Sequence, residues 1–213
     1  MNFNEFLKLS VKIENLPVPA ETSQFKMSPP YRQELINKQK ELIKKAKKSA
    51  VMALFYPNAD YETEFVLILR KSYKGVHSAQ VGFPGGKLEA NETDKQAALR
   101  ETEEEIGVSK NRIKVVKEMT SLYIPPSNFH VKPFIGIVEE TPKFIKQDRE
   151  VEAILTVKLA DFFNEENVVT KQVSTSYNVK VAVPAYKLND FLVWGATAMM
   201  LSEVKDLLKT AIK

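Results

Sequence analysis

The segment between residues 86 and 108 constrains the fold more than any other part of this chain. Thr93 and Gln96 have the spacing of a capping box, in which two side chains satisfy free backbone N–H groups at the start of a helix. A helix should therefore begin at Asp94. Gly107 is placed to adopt the left-handed conformation that often ends a helix. Local signals thus predict both ends of one helix.

The C-terminal half of this predicted helix carries a cluster of carboxylates. Because successive helical residues advance by about 100°, Glu101, Glu104 and Glu105 share one face. Ala97 and Ala98 precede them on that face, where small side chains would leave room for a ligand. The opposite face carries the residues that we expect in the core, namely Leu99, Thr102 and Ile106. The helix is therefore predicted to present its acidic face to a ligand.

Such a cluster is costly unless a ligand neutralises it. Like charges one turn apart destabilise a helix, and the helix dipole disfavours anions near the C-terminus. Glu103 adds a further negative charge to the same part of the helix. A solvated acidic helix would place these charges nearer its N-terminus and mix them with lysines. Hard divalent cations prefer oxygen ligands of this kind, so the pattern predicts a site for Mg²⁺ or Mn²⁺.

The same segment resembles the Nudix box, whose pattern is G-x5-E-x7-R-E-U-x-E-E-x-G-U, where U is a bulky aliphatic residue. The matching positions are Gly86, Glu92, Arg100, Glu101, Glu104, Glu105, Gly107 and Val108. The departure is Thr102, which takes an aliphatic position on the core-facing side of the helix. The resemblance implies the α+β class, with a Nudix-type α/β/α sandwich around a mixed sheet.

The resemblance also implies roles for the matching residues. The groups that would bind the divalent metal are Glu101, Glu104, Glu105 and the backbone carbonyl of Gly86. Arg100 would hold a carboxylate in place through a bidentate pair, and Glu92 would support the loop. Glu101 and Glu105 are both candidates for the base that takes a proton from the attacking water. The implied reaction is metal-dependent hydrolysis of a pyrophosphate bond.

The flanks of the box resemble the coenzyme A pyrophosphatase branch of the Nudix family. That branch approaches the box with the pattern L-L-T-x-R-S-x2-L-R-x-H-x-G-Q-V-x-F-P-G-G. The matches are Leu67, Arg70, His77, Gln80, Val81, Phe83, Pro84, Gly85 and Gly86. The departures are Ile68, Lys71, Lys74, Gly75 and Ala79. Further resemblance lies at 123–133 and 193–198.

This branch implies hydrolysis of CoA or acyl-CoA to 3′,5′-ADP and 4′-phosphopantetheine or its acyl derivative. The residues predicted to bind substrate are Arg70, Lys74, His77 and Gln80. Two alternatives stay open, because the box is shared across the family. One is a Nudix hydrolase of ADP-ribose or another nucleoside diphosphate derivative. The other is a non-catalytic Nudix-fold regulator that binds nucleotides, although such proteins often lose box carboxylates that this chain retains.

The remaining sequence predicts an N-terminal helical extension over residues 1–49 and a Nudix domain over 50–213 that includes a C-terminal helix. Within the extension, helical spacing of apolar residues after Pro30 predicts one helix over 30–48. Strands are predicted at 51–56, 64–70, 81–83, 113–123, 131–138, 150–157, 168–174 and 178–184, and a last helix at 196–212.

Composition excludes several other classes of function. The chain has no cysteine, so disulfides, zinc–thiolate sites and a cysteine nucleophile are ruled out. The net charge is +4. The lysine run Lys38–Lys48 lacks interleaved arginine or aromatic residues, so we interpret it as a solvated face. A nucleic-acid partner is therefore a weak hypothesis. We expect a cytoplasmic protein without a membrane partner, whose partner is a small nucleotide substrate. A homodimer is left open.

Overall fold

The structure is a computed structural model that describes residues 1–71, 80–174 and 180–213. Its central strand, β1 (Lys47–Pro57), is buried over most of its length on both faces. Alternate side chains of a strand point to opposite faces of the sheet. One set, Ala50, Met52 and Leu54, therefore packs in one hydrophobic cluster, and the other set, Val51, Ala53 and Phe55, packs in a second cluster.

The main sheet of the described residues surrounds β1 with strands of both directions. The other strands of this sheet are β2 (Thr63–Arg70), β3 (Val81–Gly82), β4 (Gly85–Lys87), β5 (Lys114–Glu118), β6 (Leu122–Ile124), β7 (Phe129–Ile137) and β8 (Val151–Lys158). β1 runs parallel to β7 and antiparallel to β2 and β4. The sheet is therefore mixed, as predicted.

Helices cover both faces of this sheet. On one face, α5 (Asp94–Ile106) contributes Ala97 and Ala98 to the cluster that contains Met52. On the other face, α1 (Phe3–Asn15) and α7 (Gly195–Ile212) pack in the cluster that contains Phe55. The smaller elements are α2 (Glu21–Gln24), α3 (Arg32–Lys38), α4 (Lys40–Ile43) and α6 (Leu159–Phe163), with a second sheet of β9 (Val168–Ser174), β10 (Lys180–Leu188) and β11 (Phe191–Trp194). The predicted α+β sandwich is confirmed.

A buried carboxylate accepts hydrogen bonds from the N-terminal residues and connects them to the rest of the protein. Glu203 of α7 is fully buried. It accepts hydrogen bonds from the backbone N–H of Ala20 at 3.2 Å, from Nε2 of Gln24 at 3.0 Å and from the backbone N–H of Thr120 at 3.3 Å. Asp206, one turn later, accepts from the Ser23 hydroxyl. The N-terminal residues are thus packed against α7 and the central sheet.

The single helix predicted over residues 30–48 is wrong. The structure has the two short helices α3 and α4 instead, separated at Gln39, whose φ of −113° and ψ of 18° are not helical. The chain then leaves helical structure altogether, because β1 begins at Lys47 and pairs in parallel with Phe129 of β7. Sheet pairing between distant segments overrides the local helical pattern here. The proposed division of the chain at 49/50 stays a prediction.

Among the described residues, no helix is long and apolar enough to cross a membrane.

Candidate active site

The helix α5 has the ends that the sequence predicts. The Thr93 side chain accepts a hydrogen bond from the Gln96 N–H, and the Gln96 side chain accepts from the Thr93 N–H. Gly107 adopts the left-handed conformation with a φ of 73°, and its N–H donates to the Glu103 carbonyl. Thr102 is fully buried, and its hydroxyl donates to the Ala98 carbonyl at 2.6 Å. The hydroxyl of this unusual box residue therefore has a hydrogen-bond partner within the core.

The N-terminal part of the α5 face that carries the box carboxylates packs on the sheet and is not exposed to solvent. Ala97 and Ala98 are fully buried and pack beside β1, so the prediction that they leave room for a ligand is wrong. Their small size instead allows α5 to lie close to the strand. Glu105 continues this stripe and is only 2% exposed. In contrast, the side chain of Glu104 is 55% exposed.

Glu105 is held by the glycine turn that precedes the box. The Gly85 N–H donates to its Oε2 at 2.7 Å. Nη1 of Arg70 lies 3.3 Å from its Oε1, an ion pair without hydrogen-bond geometry, so Oε1 has no hydrogen-bond partner although it is buried. Burial raises the pKa of Glu105 to about 7, against the opposing effects of Arg70 and the Gly85 N–H. This carboxylate therefore lacks part of the solvation that its ionised form requires.

Arg70 bridges the turn and the carboxylate. Its Nη2 donates to the Gly85 carbonyl at 2.6 Å, in addition to the ion pair with Glu105. Gly85 itself has a φ of 147°, and a Cβ atom there would overlap the carbonyl oxygen of Ala50. The sequence predicts that Arg70 binds substrate, and it does not indicate these two contacts with the protein. They indicate that Arg70 positions the turn and Glu105.

Arg100 connects the loop before α5 to the carboxylates on the helix. Its Nε and Nη2 donate to the two carboxylate oxygens of Glu92 at 2.9 and 3.0 Å, which is the bidentate geometry that arginine favours. Its Nη1 donates to Glu101 at 3.0 Å and to Glu104 at 3.2 Å. Its Nη2 also donates to the Lys87 carbonyl at 3.0 Å. The pKa of the Arg100 guanidinium is raised, first by its hydrogen bond to Glu92.

Glu101 lies against the second glycine of the turn. A Cβ atom at Gly86 would overlap the Glu101 carboxylate, so a glycine is required for this approach. Burial raises the pKa of Glu101, although its pair with Arg100 acts in the opposite direction. The carboxylate of Glu101 therefore lies against Gly86, and the carboxylate of Glu105 lies against Gly85.

The chemistry of these groups fits a divalent cation. Glu105 has a buried oxygen without a hydrogen-bond partner, and burial raises the pKa of both Glu101 and Glu105, so a cation beside these carboxylates would stabilise their ionised forms. The side chains are not arranged around an ion: within the described ranges, no three Asp, Glu or His side chains form a cluster that could hold one. Glu101 and Glu104 instead accept hydrogen bonds from Nη1 of Arg100.

The sequence did not reveal a further acid beside this site. The charge of Glu150 raises the pKa of both Glu101 and Glu105. Glu150 precedes β8, and its carbonyl accepts a hydrogen bond from the Lys71 N–H at 2.9 Å. Its proximity follows from the pairing of β8 with β2, which carries Arg70. No local pattern marks Glu150, because that strand pairing joins segments far apart in the sequence.

A cavity of about 300 Å³ opens beside the glycine turn. Two parts of its lining come from the approach to the box (residues 80–83 and 85–87) and from the N-terminal segment (29, 31, 32 and 35). The others come from the connection between β6 and β7, including the adjoining strand ends (124–126 and 129), and from the end of β11 and the start of α7 (194–197, 199 and 200). Gln80, a predicted substrate contact, is among them. Lys74 and His77 lie outside the described residues.

Charge and polarity in this cavity are unevenly distributed. Arg32, Arg70 and Lys87 line it, and its described lining contains no Asp or Glu. Lys87 lies over the ring of Phe129, 5.7 Å from the centroid. Much of the remaining wall is apolar and includes Trp194. The cavity therefore suits an anionic molecule with a substantial apolar part.

Comparison with known proteins agrees with this site. The NUDIX domain model matches residues 46–175. Nudix hydrolase 15, mitochondrial, from Arabidopsis thaliana is 31% identical over 163 residues, which cover 74% of this chain and 57% of that protein. The match thus spans little more than half of that relative. Nudix hydrolase 3 from Caenorhabditis elegans is 24% identical over 192 residues, covering 81% of this chain and 79% of that one.

A solved structure shows the same fold. The MutT/nudix family protein from Enterococcus faecalis superposes with a TM-score of 0.54 at 19% identity, covering 91% of this chain and 76% of the other. The matching domain model includes β1, the glycine turn and all of α5. The resemblance first indicated by eight box positions is thereby confirmed, and this chain belongs to the Nudix hydrolase family.

Proposed function

We propose that this protein hydrolyses a pyrophosphate bond in a nucleotide derivative, with CoA or acyl-CoA as substrate and Mg²⁺ or Mn²⁺ as cofactor. The observation that carries the proposal is the position of the cavity. Its cationic and apolar lining reaches Gly85 and Gly86, whose backbone lies directly against the carboxylates of Glu105 and Glu101. A bound pyrophosphate would therefore lie beside the box acids.

The carboxylates and arginine of the box have distinct parts in this proposal. The metal would be held by Glu101, Glu104, Glu105 and the carbonyl of Gly86. When bound, the cation supplies charge stabilisation and a more acidic water. Arg100 positions Glu101 and Glu104, and Arg70 positions Glu105. The candidates for the group that accepts the water's proton are Glu101 and Glu105. Glu150 is a further candidate, because its charge raises the pKa of Glu105.

CoA is favoured within this class by the composition of the cavity. CoA joins a nucleotide with several phosphates to a long, weakly polar pantetheine arm. Cations on the lining suit the phosphates, while apolar groups such as Ile124, Met199 and Met200 suit the arm. The resemblance of the box approach to the coenzyme A pyrophosphatase branch points to the same substrate. ADP-ribose, which lacks the third phosphate and the arm, is the main competitor.

The test is a comparison of kcat/KM for CoA, dephospho-CoA and ADP-ribose with Mg²⁺ and then Mn²⁺, with products identified by mass spectrometry. We expect CoA to be the best substrate and to give 3′,5′-ADP and 4′-phosphopantetheine. A higher value for ADP-ribose would contradict the CoA assignment and leave the Nudix activity standing. Absence of turnover with every substrate, despite nucleotide binding, would favour the non-catalytic alternative. Cell fractionation and light scattering test the cytoplasmic location and the homodimer.

A further inference from the structure

The N-terminal segment places a buried arginine at the cavity. Arg32, the first residue of α3, lines the cavity and is 9% exposed. Its Nη2 donates to the Tyr123 carbonyl at 2.6 Å. Its Nε is buried and has no hydrogen-bond partner. Arg32 lies outside residues 46–175, to which the family model matches.

A buried guanidinium with so few partners is an unfavourable arrangement in the absence of a ligand. Removing a charge from water costs several kcal/mol unless an opposite charge and hydrogen bonds compensate for it. In the described parts of the chain, no carboxylate lies within ion-pair distance of Arg32. Burial is the largest influence on its pKa, which is lowered, and Glu21 opposes this only through a longer-range interaction. An anion in the cavity would supply the missing partner.

Of the other two cations in the described lining, one already binds protein groups and the other is exposed to solvent. Arg70 is bound to Glu105 and to the Gly85 carbonyl. Lys87 is exposed at its strand end and lies over Phe129. Arg32 is therefore the lining cation that gains most from an anionic ligand.

We propose that Arg32 determines substrate specificity by binding a phosphate monoester of the substrate, which in CoA is the 3′-phosphate. This inference rests on the proposed function, and it gives the N-terminal segment a direct role in the site. A phosphate monoester presents several strong acceptor oxygens, and the guanidinium presents donors in a planar fork that matches them. The same fork would leave its donors unmatched when the phosphate is absent, so the site should discriminate against dephospho-CoA.

A purely structural role is the competing explanation, because Arg32 also ties α3 to β6 through Tyr123. The two explanations differ in selectivity. Loss of a phosphate contact penalises CoA and spares dephospho-CoA, whereas loss of a structural contact penalises both. The useful variants are R32M, which keeps the length of the side chain, and R32K, which keeps the charge. R112M is the matched control, because Arg112 is exposed and paired with Glu140 away from the cavity lining.

The first experiment measures kcat/KM for CoA and dephospho-CoA with each variant. R32M should lower the value for CoA by about 10- to 100-fold, the range expected for losing a charged hydrogen bond, and change the value for dephospho-CoA by less than about threefold. R32K should retain part of the preference, and R112M all of it. R70M should lower both values equally, because Arg70 positions Glu105. Equal losses on both substrates in R32M and R32K would overturn the proposal.

The second experiment does not depend on turnover. Calorimetric titration of the metal-free protein with 3′,5′-ADP and with AMP compares two ligands that differ by one phosphate monoester. The wild-type protein should bind 3′,5′-ADP about 10-fold or more tightly than AMP, and R32M should lose this preference. An unchanged preference in R32M, or none in the wild type, would overturn the proposal. If the wild type hydrolyses neither CoA compound, the CoA assignment fails, and this titration still decides the role of Arg32.

Discussion

The substitution E105Q should change the pH dependence of folding stability in the metal-free protein. Burial raises the pKa of Glu105 from 4.5 to about 7 in the folded state. Below pH 4.5 the carboxyl is protonated in both states, and its burial carries no ionisation penalty. Between these two pH values the folded state retains a proton that the unfolded state has lost. The unfolding free energy therefore falls as pH rises through this window.

The size of this decline follows from the two pKa values. The difference between 4.5 and about 7 corresponds to about 3 kcal/mol at about 1.4 kcal/mol per pH unit. Glutamine has nearly the same shape and does not titrate, so E105Q should lack this contribution. Its amide also changes the contacts with Gly85 and Arg70, but that difference is the same at every pH. The test is therefore the difference in slope between the two proteins.

The assay is urea unfolding at a series of pH values between 4 and 8 in the presence of a chelator, followed by circular dichroism and by fluorescence of Trp194. E103Q is the matched control, because Glu103 lies on the same helix with a 37% exposed side chain. It should follow the wild-type profile. Adding Mg²⁺ should remove or reverse the decline, since a cation favours the ionised carboxylate. Parallel profiles for wild type and E105Q would refute the reasoning.

Four further results are expected. E104Q and E105Q should each reduce turnover by about 100-fold or more, as expected when a key electrostatic group is lost; near wild-type rates in both would exclude them from the site. G86A should displace the Glu101 carboxylate, because the added Cβ overlaps it. It should therefore lower kcat/KM while leaving the melting temperature nearly unchanged. R100K should lose the bidentate pair and reduce activity by about 10-fold or more, which steady-state kinetics would measure. Mg²⁺ or Mn²⁺ should raise the melting temperature of the wild type in scanning calorimetry, and the absence of a shift would count against a metal site.

The sequence predicted the elements whose signals are local. The ends of α5 depend on Thr93, Gln96 and Gly107, which act within a few residues of each other, and the structure confirms both ends. The orientation of α5 could not be derived in the same way. Glu105 and Ala97 do share a face, but only the packing of α5 on β1 determines that this face is turned towards the sheet.

The contacts that the sequence missed are those between distant segments. Arg70 of β2 meets Glu105 of α5 where both side chains contact Gly85 of β4. Glu150 approaches the site because β8 pairs with β2. The helix α1 was not predicted as an element, although its Phe3 and Phe6 are fully buried in the core. Each of these depends on tertiary packing, which propensity and spacing do not encode.

The wall of the cavity extends on both sides beyond the part of the chain that the family model matches. The box carboxylates and the glycine turn lie within residues 46–175, the range shared with the family. The cavity wall also draws on Pro29, Tyr31, Arg32 and Leu35 before that range, and on residues 194–197, 199 and 200 after it. Glu203 on α7 accepts hydrogen bonds from the Ala20 N–H and from Nε2 of Gln24, which precede the first of these segments in the chain. Substitutions in these two segments of the cavity wall should therefore change which nucleotide derivative is preferred, while the carboxylates on α5 stay in place.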